Sequence, residues 1–122
     1  MESLGRHILV DYHDCSRQIL NNTTLIEEFM LEAARQASAT IIQSHFHHFS
    51  PFGVSGVVII QESHLTIHTW PESHYAAVDI FTCGAQMNPW KAHEYLMQAL
   101  CAGHSDIKDI SRGRRDNIIG KP

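Results

Sequence analysis

The sequence predicts a two-layer α+β domain in which two helices cover one face of a mainly antiparallel sheet. Two amphipathic segments with helix-start signals are separated by several segments rich in β-branched or alternating apolar residues. The chain has 122 residues, of which 43% are hydrophobic and 18% are charged, as is typical of a folded domain. We therefore expect residues 1–122 to form a single domain.

The N-terminal part is predicted to contain one strand and one helix. His7 to Tyr12 is a short apolar segment that suits a strand. Thr24 is a suitable helix N-cap, and Glu27 three residues later completes a capping box. The apolar residues that follow recur on one helical face, which predicts a helix over about residues 24–38.

Four central segments are predicted as strands because they are β-branched or alternate between apolar and polar residues. They cover residues 40–49, 56–61, 64–70 and 75–81. In the third strand, alternation directs Leu65 and Ile67 to one face of the sheet and Thr66 and His68 to the other.

The C-terminal part is predicted to contain a second helix and a short strand. Asn88 caps this helix, Pro89 takes its first position and Gly103 is its expected stop. A strand around 107–110 follows, and the basic tail from Ser111 is expected to be mobile. Because both helices lie on one face, we expect the sheet to dimerise through its other face with a second copy of the chain.

Composition excludes several classes of function. The net charge of −4 argues against a nucleic-acid-binding surface, which is usually basic. No apolar segment approaches the length of a membrane span, and the N-terminus does not have the pattern of a signal peptide. Cys15, Cys83 and Cys101 form no CxxC pair, which favours a reducing, cytoplasmic location.

The segment from Glu62 to Glu72, ESHLTIHTWPE, is the most informative part of the chain. It combines a serine near a tight turn with two histidines, a tryptophan and an acid, and the Cys83-Gly84 pair follows the next strand. A serine nucleophile, an imidazole and a thiol are the groups needed to cut a backbone and then transfer protons. A structural hairpin has no use for this set.

This motif, followed by YAAVDIFTCG, resembles the short prokaryotic type of S-adenosylmethionine decarboxylase. The resemblance extends upstream through FHHFSPFGVSGVVII to SLGRH. Members of that family are made as inactive precursors that cut themselves at a Glu-Ser bond, and the serine becomes a covalent pyruvoyl group. The resemblance implies cleavage between Glu62 and Ser63 into residues 1–62, the beta chain, and 63–122, the alpha chain. The product of the decarboxylation would be the aminopropyl donor for spermidine biosynthesis.

The resemblance also implies the catalytic residues. Ser63 is the source of the pyruvoyl cofactor, and His68 is the base that removes its α-proton during cleavage. Ser55 assists cleavage by bonding to the intermediate. Cys83 is the general acid that protonates the carbon left after carbon dioxide departs. An imidazole suits the role of base because its ordinary pKa of about 6.5 leaves it largely neutral at pH 7.

The spacing of Ser63 and His68 creates a geometric problem. At about 3.3 Å per residue, a strand puts these two residues roughly 16 Å apart. Either the strand doubles back or His68 serves the Ser63 of a second chain. The continuous β-pattern favours a second chain, so we predict a homodimer with shared active sites, which the resemblance also implies.

The resemblance further implies the substrate-binding residues. Phe49 matches a ring that stacks on adenine, and Glu72 matches an acid that binds the ribose hydroxyls. Leu65 and Trp70 match positions that line the substrate pocket, although Trp70 suits interface packing equally well. No histidine spacing matches a defined zinc site, so we predict no metal.

Two alternatives stay open at this point. Relatives with much the same cleavage motif decarboxylate arginine or ornithine, although Phe49 and Glu72 favour a nucleoside substrate. An uncleaved, non-enzymatic homologue is the other alternative, and the presence of Ser63, His68 and Cys83 argues against it.

Overall fold

The computed structural model describes residues 3–83 and 86–118. Gly84, which belongs to the motif discussed above, lies outside the described residues. Within the described ranges the main elements are β1 Ser3–His13, α1 Arg17–Leu20, α2 Thr23–Gln36, β2 Ile41–His48, β3 Val54–Ile60, β4 Ser63–Trp70, β5 Tyr75–Thr82, α3 Pro89–Ala99 and β6 His104–Arg114. Short 3₁₀ helices span Pro71–Ser73 and Arg115–Asn117.

The strands form one sheet in the order β2-β3-β4-β5-β1-β6. Every neighbouring pair is antiparallel, which confirms the predicted α+β class. The register sets Ser55 of β3 opposite His68 of β4, and Ser63 at the start of β4 opposite Thr82 at the end of β5. The sheet thereby fixes the spacing of the residues that the motif singled out.

The core lies between one face of the sheet and the helices. Alternate strand residues are buried together with the apolar faces of α2 and α3, and the cluster includes Ile8, Val10, Val58, Leu65, Ile67, Val78 and Ile80 from the sheet and Ile26, Met30, Leu96 and Leu100 from the helices. Burying each such side chain contributes about 1.5–3 kcal/mol. The opposite face, which carries His64, Thr66 and His68, faces away from the helices and is called the open face below.

The helix starts follow from short polar caps. Asn22, rather than the predicted Thr24, caps α2: its side chain accepts the N–H of Leu25 at 3.1 Å. Asparagine is a stronger N-cap than threonine, so the helix begins earlier and takes in Thr24. The predicted cap Asn88 and first-turn Pro89 of α3 are confirmed. None of the helices in residues 3–83 and 86–118 has the length and apolarity needed to cross a membrane.

The C-terminal prediction was wrong in two respects. The left-handed residue after α3 is Cys101, with φ 53°, and not Gly103. The last strand runs over His104–Arg114, so the segment from Ser111 to Arg114 is part of the sheet. Pairing along the whole length of β1 orders this charged segment. The short helix α1 was also missed, because its four residues are too few to produce a helical apolar pattern.

Candidate active site

The turn between β3 and β4 contains the bond predicted to be cut. Gln61 and Glu62 connect the two strands, and Ser63 begins β4 with a φ of 150°. Residues with a side chain rarely adopt this conformation, and such strain costs about 1–3 kcal/mol. Because the strain is located at the Glu62–Ser63 peptide, a reaction that breaks this peptide releases it.

The carbonyl oxygen of Glu62 accepts two hydrogen bonds from Cys83. The backbone N–H and the thiol of Cys83 each donate to it at 2.9 Å. Cys83 reaches this oxygen because it directly follows β5, whose last residue, Thr82, is paired with Ser63. Two donors aimed at one carbonyl oxygen polarise it and stabilise negative charge that develops there.

The side chain of Glu62 anchors the same turn to the rest of the domain. Its Oε1 accepts the backbone N–H of Thr40 at 3.1 Å. The neighbouring Gln61 donates its N–H to the Thr40 carbonyl at 2.9 Å. These two bonds tie the turn to the segment between α2 and β2, which holds the strained peptide in place.

His64 also contacts the turn, although of the two histidines in the motif only His68 was expected to have a role. Its Nδ1 lies 3.4 Å from the hydroxyl oxygen of Ser63, and its ring stacks on Phe81 with centroids 5.6 Å apart. Burial lowers the pKa of His64, nearby His7 lowers it further, and Asp79 opposes both effects. The sequence signal was the adjacency of His64 to the motif serine.

His68 and Ser55 form a second group on the open face. The Ser55 hydroxyl oxygen lies 2.8 Å from Nδ1 of His68 within one chain. Because β4 is continuous from Ser63 to Trp70, it does not double back. At about 3.3 Å per residue, His68 remains roughly 16 Å from Ser63 of its own chain. A single protomer therefore keeps Ser63 apart from its expected base.

A cavity of about 310 Å³ brings the expected substrate-binding residues together with His68. Its lining includes Phe49, Ser55, His68, Trp70 and Glu72. Phe49 and Trp70 are 47% and 45% exposed, so both rings present apolar surface to an incoming ligand. An aromatic wall with one carboxylate suits a flat, polar ligand that carries hydroxyl groups.

Leu65 is not part of the lining of this cavity, and its place in the substrate pocket stays a prediction. Its side chain is fully buried in the core between the sheet and the helices. Alternation along β4 places Leu65 on the opposite face from His68 and Trp70. Its side chain packs beneath the strand that carries His68 and Trp70.

One group of potential metal ligands lies away from the cleavage turn. Among residues 3–83 and 86–118, His13, His104 and Asp106 form the group whose ligand atoms lie within 4.8 Å of one another. They lie on the β1–β6 pair, whereas the Glu62–Ser63 turn joins β3 to β4. The absence of a catalytic metal stays a prediction.

Fold and site together define the class as a small α+β protein with a serine on a strained turn between two strands. The family model for S-adenosylmethionine decarboxylase matches residues 6–113, and the chain belongs to this family.

Relatives with that name match nearly the whole chain. The S-adenosylmethionine decarboxylase proenzyme of Thermotoga maritima is 54% identical over 118 residues, covering 97% of this chain and 91% of the relative. The proenzyme of Caldicellulosiruptor saccharolyticus is 52% identical over 113 residues, covering 93% of this chain and 91% of the relative. These relatives support the expected family and give no support to the arginine or ornithine alternative.

Solved structures agree on the fold. The structure of the adenosylmethionine decarboxylase of Aquifex aeolicus superposes with a TM-score of 0.87 at 33% identity. The match covers 99% of this chain and 100% of the Aquifex chain. A Trypanosoma brucei AdoMetDC monomer gives a TM-score of 0.62 at 18% identity, covering 84% of this chain and 44% of that chain. The second likeness supports the fold alone.

Proposed function

We propose that this chain decarboxylates S-adenosylmethionine with a pyruvoyl group that it makes by cutting itself between Glu62 and Ser63. The observation that carries the proposal is the pair of hydrogen bonds from Cys83 to the Glu62 carbonyl, beside a serine with φ 150°. These residues fit the formation of such a group, because they combine a nucleophile, a polarised carbonyl and a strained peptide. The product is the aminopropyl donor for spermidine synthesis.

The first step is attack of the Ser63 hydroxyl oxygen on the Glu62 carbonyl carbon. As the new C–O bond forms, negative charge collects on the oxygen to which Cys83 donates twice. The C–N bond then breaks and its nitrogen takes up a proton, which converts the amide into an ester. Loss of the strained Ser63 conformation favours this rearrangement.

The second step breaks the ester by β-elimination. A base removes the α-proton of Ser63, the Cα–Cβ double bond forms and Glu62 leaves as a carboxylate. The remaining dehydroalanine tautomerises to an imine, and water hydrolyses the imine to pyruvoyl and ammonia. The two products are residues 1–62 and 63–122.

We assign the base of the second step to His68 of the partner subunit. The spacing along β4 argues against His68 of the same chain. Ser55 accompanies His68 because the two are hydrogen-bonded within one chain. In this arrangement each chain supplies the nucleophile of one site and the base of the other.

A homodimer that meets through the open faces of its sheets allows this exchange. The helices pack on the opposite face, and Ile59, Trp70 and Ile110 on the open face are 38%, 45% and 43% exposed. Two-fold symmetry uses the same surface on both subunits, so each gives His68 to the other. Apolar strand residues of this kind are typical of obligate dimer interfaces.

For decarboxylation, the pyruvoyl group would supply a ketone that can be joined to the substrate amine, beside an amide carbonyl that can draw electrons from the carbon that loses carbon dioxide. Cys83 donates the proton that returns to that carbon. Phe49 stacks on the adenine ring, Glu72 accepts hydrogen bonds from the ribose hydroxyls, and Trp70 closes the cavity. A reducing compartment such as the cytoplasm suits this chemistry because Cys83 must remain a thiol.

The decisive experiment is the intact mass of the purified chain, with a denaturing gel. Two fragments that meet at Glu62 and Ser63, with a pyruvoyl-blocked C-terminal fragment, are expected. Ser63→Ala should give one uncut chain without activity. Assays with S-adenosylmethionine, arginine and ornithine then identify the substrate. An uncut wild-type chain after long incubation would instead support the non-enzymatic homologue.

A further inference from the structure

We propose that His64 is the base that accepts the hydroxyl proton of Ser63 in the first step of self-cleavage. This inference rests on the proposed function and assigns a residue to a step for which no base has been named. It separates two proton transfers. His64 accepts the hydroxyl proton of Ser63 within its own chain, and His68 of the partner subunit removes the α-proton.

The position of His64 is the first argument. In the described part of the chain, its Nδ1 is the side-chain nitrogen within hydrogen-bond distance of the Ser63 hydroxyl oxygen, at 3.4 Å. The thiol of Cys83 is directed to the Glu62 carbonyl, as a donor. His68 of the same chain bonds to Ser55 instead.

The conformation of Ser63 explains how neighbours in sequence can meet. Successive side chains of a strand normally point to opposite faces, so residues 63 and 64 would face away from each other. The φ of 150° at Ser63 departs from the strand conformation. The unusual backbone therefore has two effects, since it strains the peptide to be cut and brings the hydroxyl within reach of His64.

The surroundings of His64 keep its ring neutral, as a base requires. Burial lowers its pKa, and His7 on β1 acts in the same direction. Asp79 on β5 raises the pKa but is the smallest of these influences. The guanidinium of Arg112 on β6 lies over the ring of Phe81, on which His64 stacks, and is hydrogen-bonded to His7. Burial and the influence of His7 together outweigh the carboxylate of Asp79, so the pKa of His64 lies below its ordinary value.

The proton balance of the step is complete. The Ser63 hydroxyl proton passes to Nδ1 of His64 as the oxygen attacks Glu62. When the C–N bond breaks, the imidazolium returns this proton to the departing nitrogen, which becomes the free α-amine of Ser63. His64 ends in its starting state, and no other reactant is consumed.

The test isolates ester formation from ester breakdown. The precursor is made by cell-free synthesis over a short time and is then incubated with and without hydroxylamine at neutral pH. Hydroxylamine cuts the ester between Glu62 and Ser63 but leaves the original amide intact. In a His68→Ala background, which blocks the second step, hydroxylamine-dependent cleavage reports the first step alone. We expect His64→Phe, which keeps a ring to stack on Phe81, to slow this signal by about 100-fold or more. His104→Phe on β6 is the matched control and should not change it.

A second variant guards against a folding artefact. His64→Asn keeps a short polar side chain near Ser63 but has no basic nitrogen, so it should lose the signal as fully as His64→Phe while its unfolding temperature stays close to that of the parent. Equal rates of ester formation in His64→Phe and its His68→Ala parent would overturn the inference. Accumulation of ester in a His64→Phe chain that keeps His68 would also overturn it, because the first step would then proceed without His64. A wild-type chain that never cuts would refute the proposed function itself, which is a different result.

Discussion

The Ser55 hydroxyl oxygen lies 2.8 Å from Nδ1 of His68, and the two residues face each other across β3 and β4. With Nδ1 engaged, Nε2 is the nitrogen left to exchange a proton with another group. The hydrogen bond made by one ring nitrogen of a histidine commonly decides whether the other nitrogen carries the proton. Ser55 therefore orients the imidazole on the open face of the sheet.

We predict that Ser55→Ala slows self-cleavage by about 2–10-fold, because one hydrogen bond is worth about 0.5–1.5 kcal/mol and 1.4 kcal/mol corresponds to a factor of ten. The loss falls on the second step, so the variant should contain more hydroxylamine-sensitive ester than wild type. Precursor and fragments are measured by gel densitometry over time. Ser111→Ala, an exposed serine of β6, is the control, and equal rates in all three proteins would contradict the role of Ser55.

Cys83→Ala should cut itself about tenfold more slowly and lose nearly all decarboxylation. The slower cleavage follows from the loss of one of two donors to the Glu62 carbonyl, since the backbone N–H of residue 83 remains. The loss of turnover follows from removal of the thiol that we propose as the proton donor. Cleavage is measured by intact mass, and turnover by carbon dioxide release per cut chain. Full turnover in Cys83→Ala would remove Cys83 from the role of general acid.

Most of the sheet could be predicted from alternation, but the length of β6 depends on longer-range structure. Alternation along β4 predicts that Leu65 and His68 lie on opposite faces, and the burial of Leu65 agrees with this. Its expected role in the substrate pocket came from the family resemblance alone. Charged residues such as Lys108 interrupt the apolar pattern of β6, so the sequence predicted too short a strand. Edge strands tolerate such residues because they are paired on one side only.

The contact between Ser63 and His64 was not predictable, because it depends on a φ of 150° that a regular strand does not have. A pattern of alternating residues assumes regular dihedral angles, so it places these side chains on opposite faces. The turn anchors at Thr40, which come from a distant part of the chain, hold the irregular geometry. The residues of the site could therefore be identified from the motif, but their contacts could not.

Glu72→Gln should raise the KM for S-adenosylmethionine by about 10–100-fold while self-cleavage stays at the wild-type rate. A hydrogen bond to a charged group is worth about 1.5–3 kcal/mol, and the amide accepts the ribose hydroxyls less strongly. Glu72 lines the cavity that contains Phe49 and His68, and the Glu62–Ser63 turn is not part of that lining. Steady-state kinetics measure the effect, with Glu94→Gln on α3 as the control. An unchanged KM would exclude Glu72 from substrate binding.

Thr69→Val should destabilise the fold by about 2–4 kcal/mol. The buried Thr69 hydroxyl donates to the Leu20 carbonyl at 2.8 Å and accepts the Val54 N–H at 2.9 Å, so valine leaves two buried groups unpaired. Urea unfolding at one fixed protein concentration measures the change, because a dimer's stability depends on concentration. Thr69→Ser should keep most of the stability. Thr66→Val, on the open face, should cost about 1 kcal/mol or less.

Mixing two inactive precursors tests whether the site is shared between chains. Ser63→Ala has no nucleophile but keeps His68, whereas His68→Ala keeps the nucleophile and lacks the base. In a mixed dimer, the Ser63 of the His68→Ala chain meets the His68 of its partner, so that chain should be cut. The Ser63→Ala chain should stay whole, and the two masses distinguish them.

This result follows from the unbroken strand between Ser63 and His68, which keeps them roughly 16 Å apart within one chain. Each variant alone should remain uncut over the same time. Subunit exchange is checked with an affinity tag on one variant. If exchange is complete and neither chain is cut, His68 does not act across the interface. If the His68→Ala chain cuts itself without a partner, another group removes the α-proton.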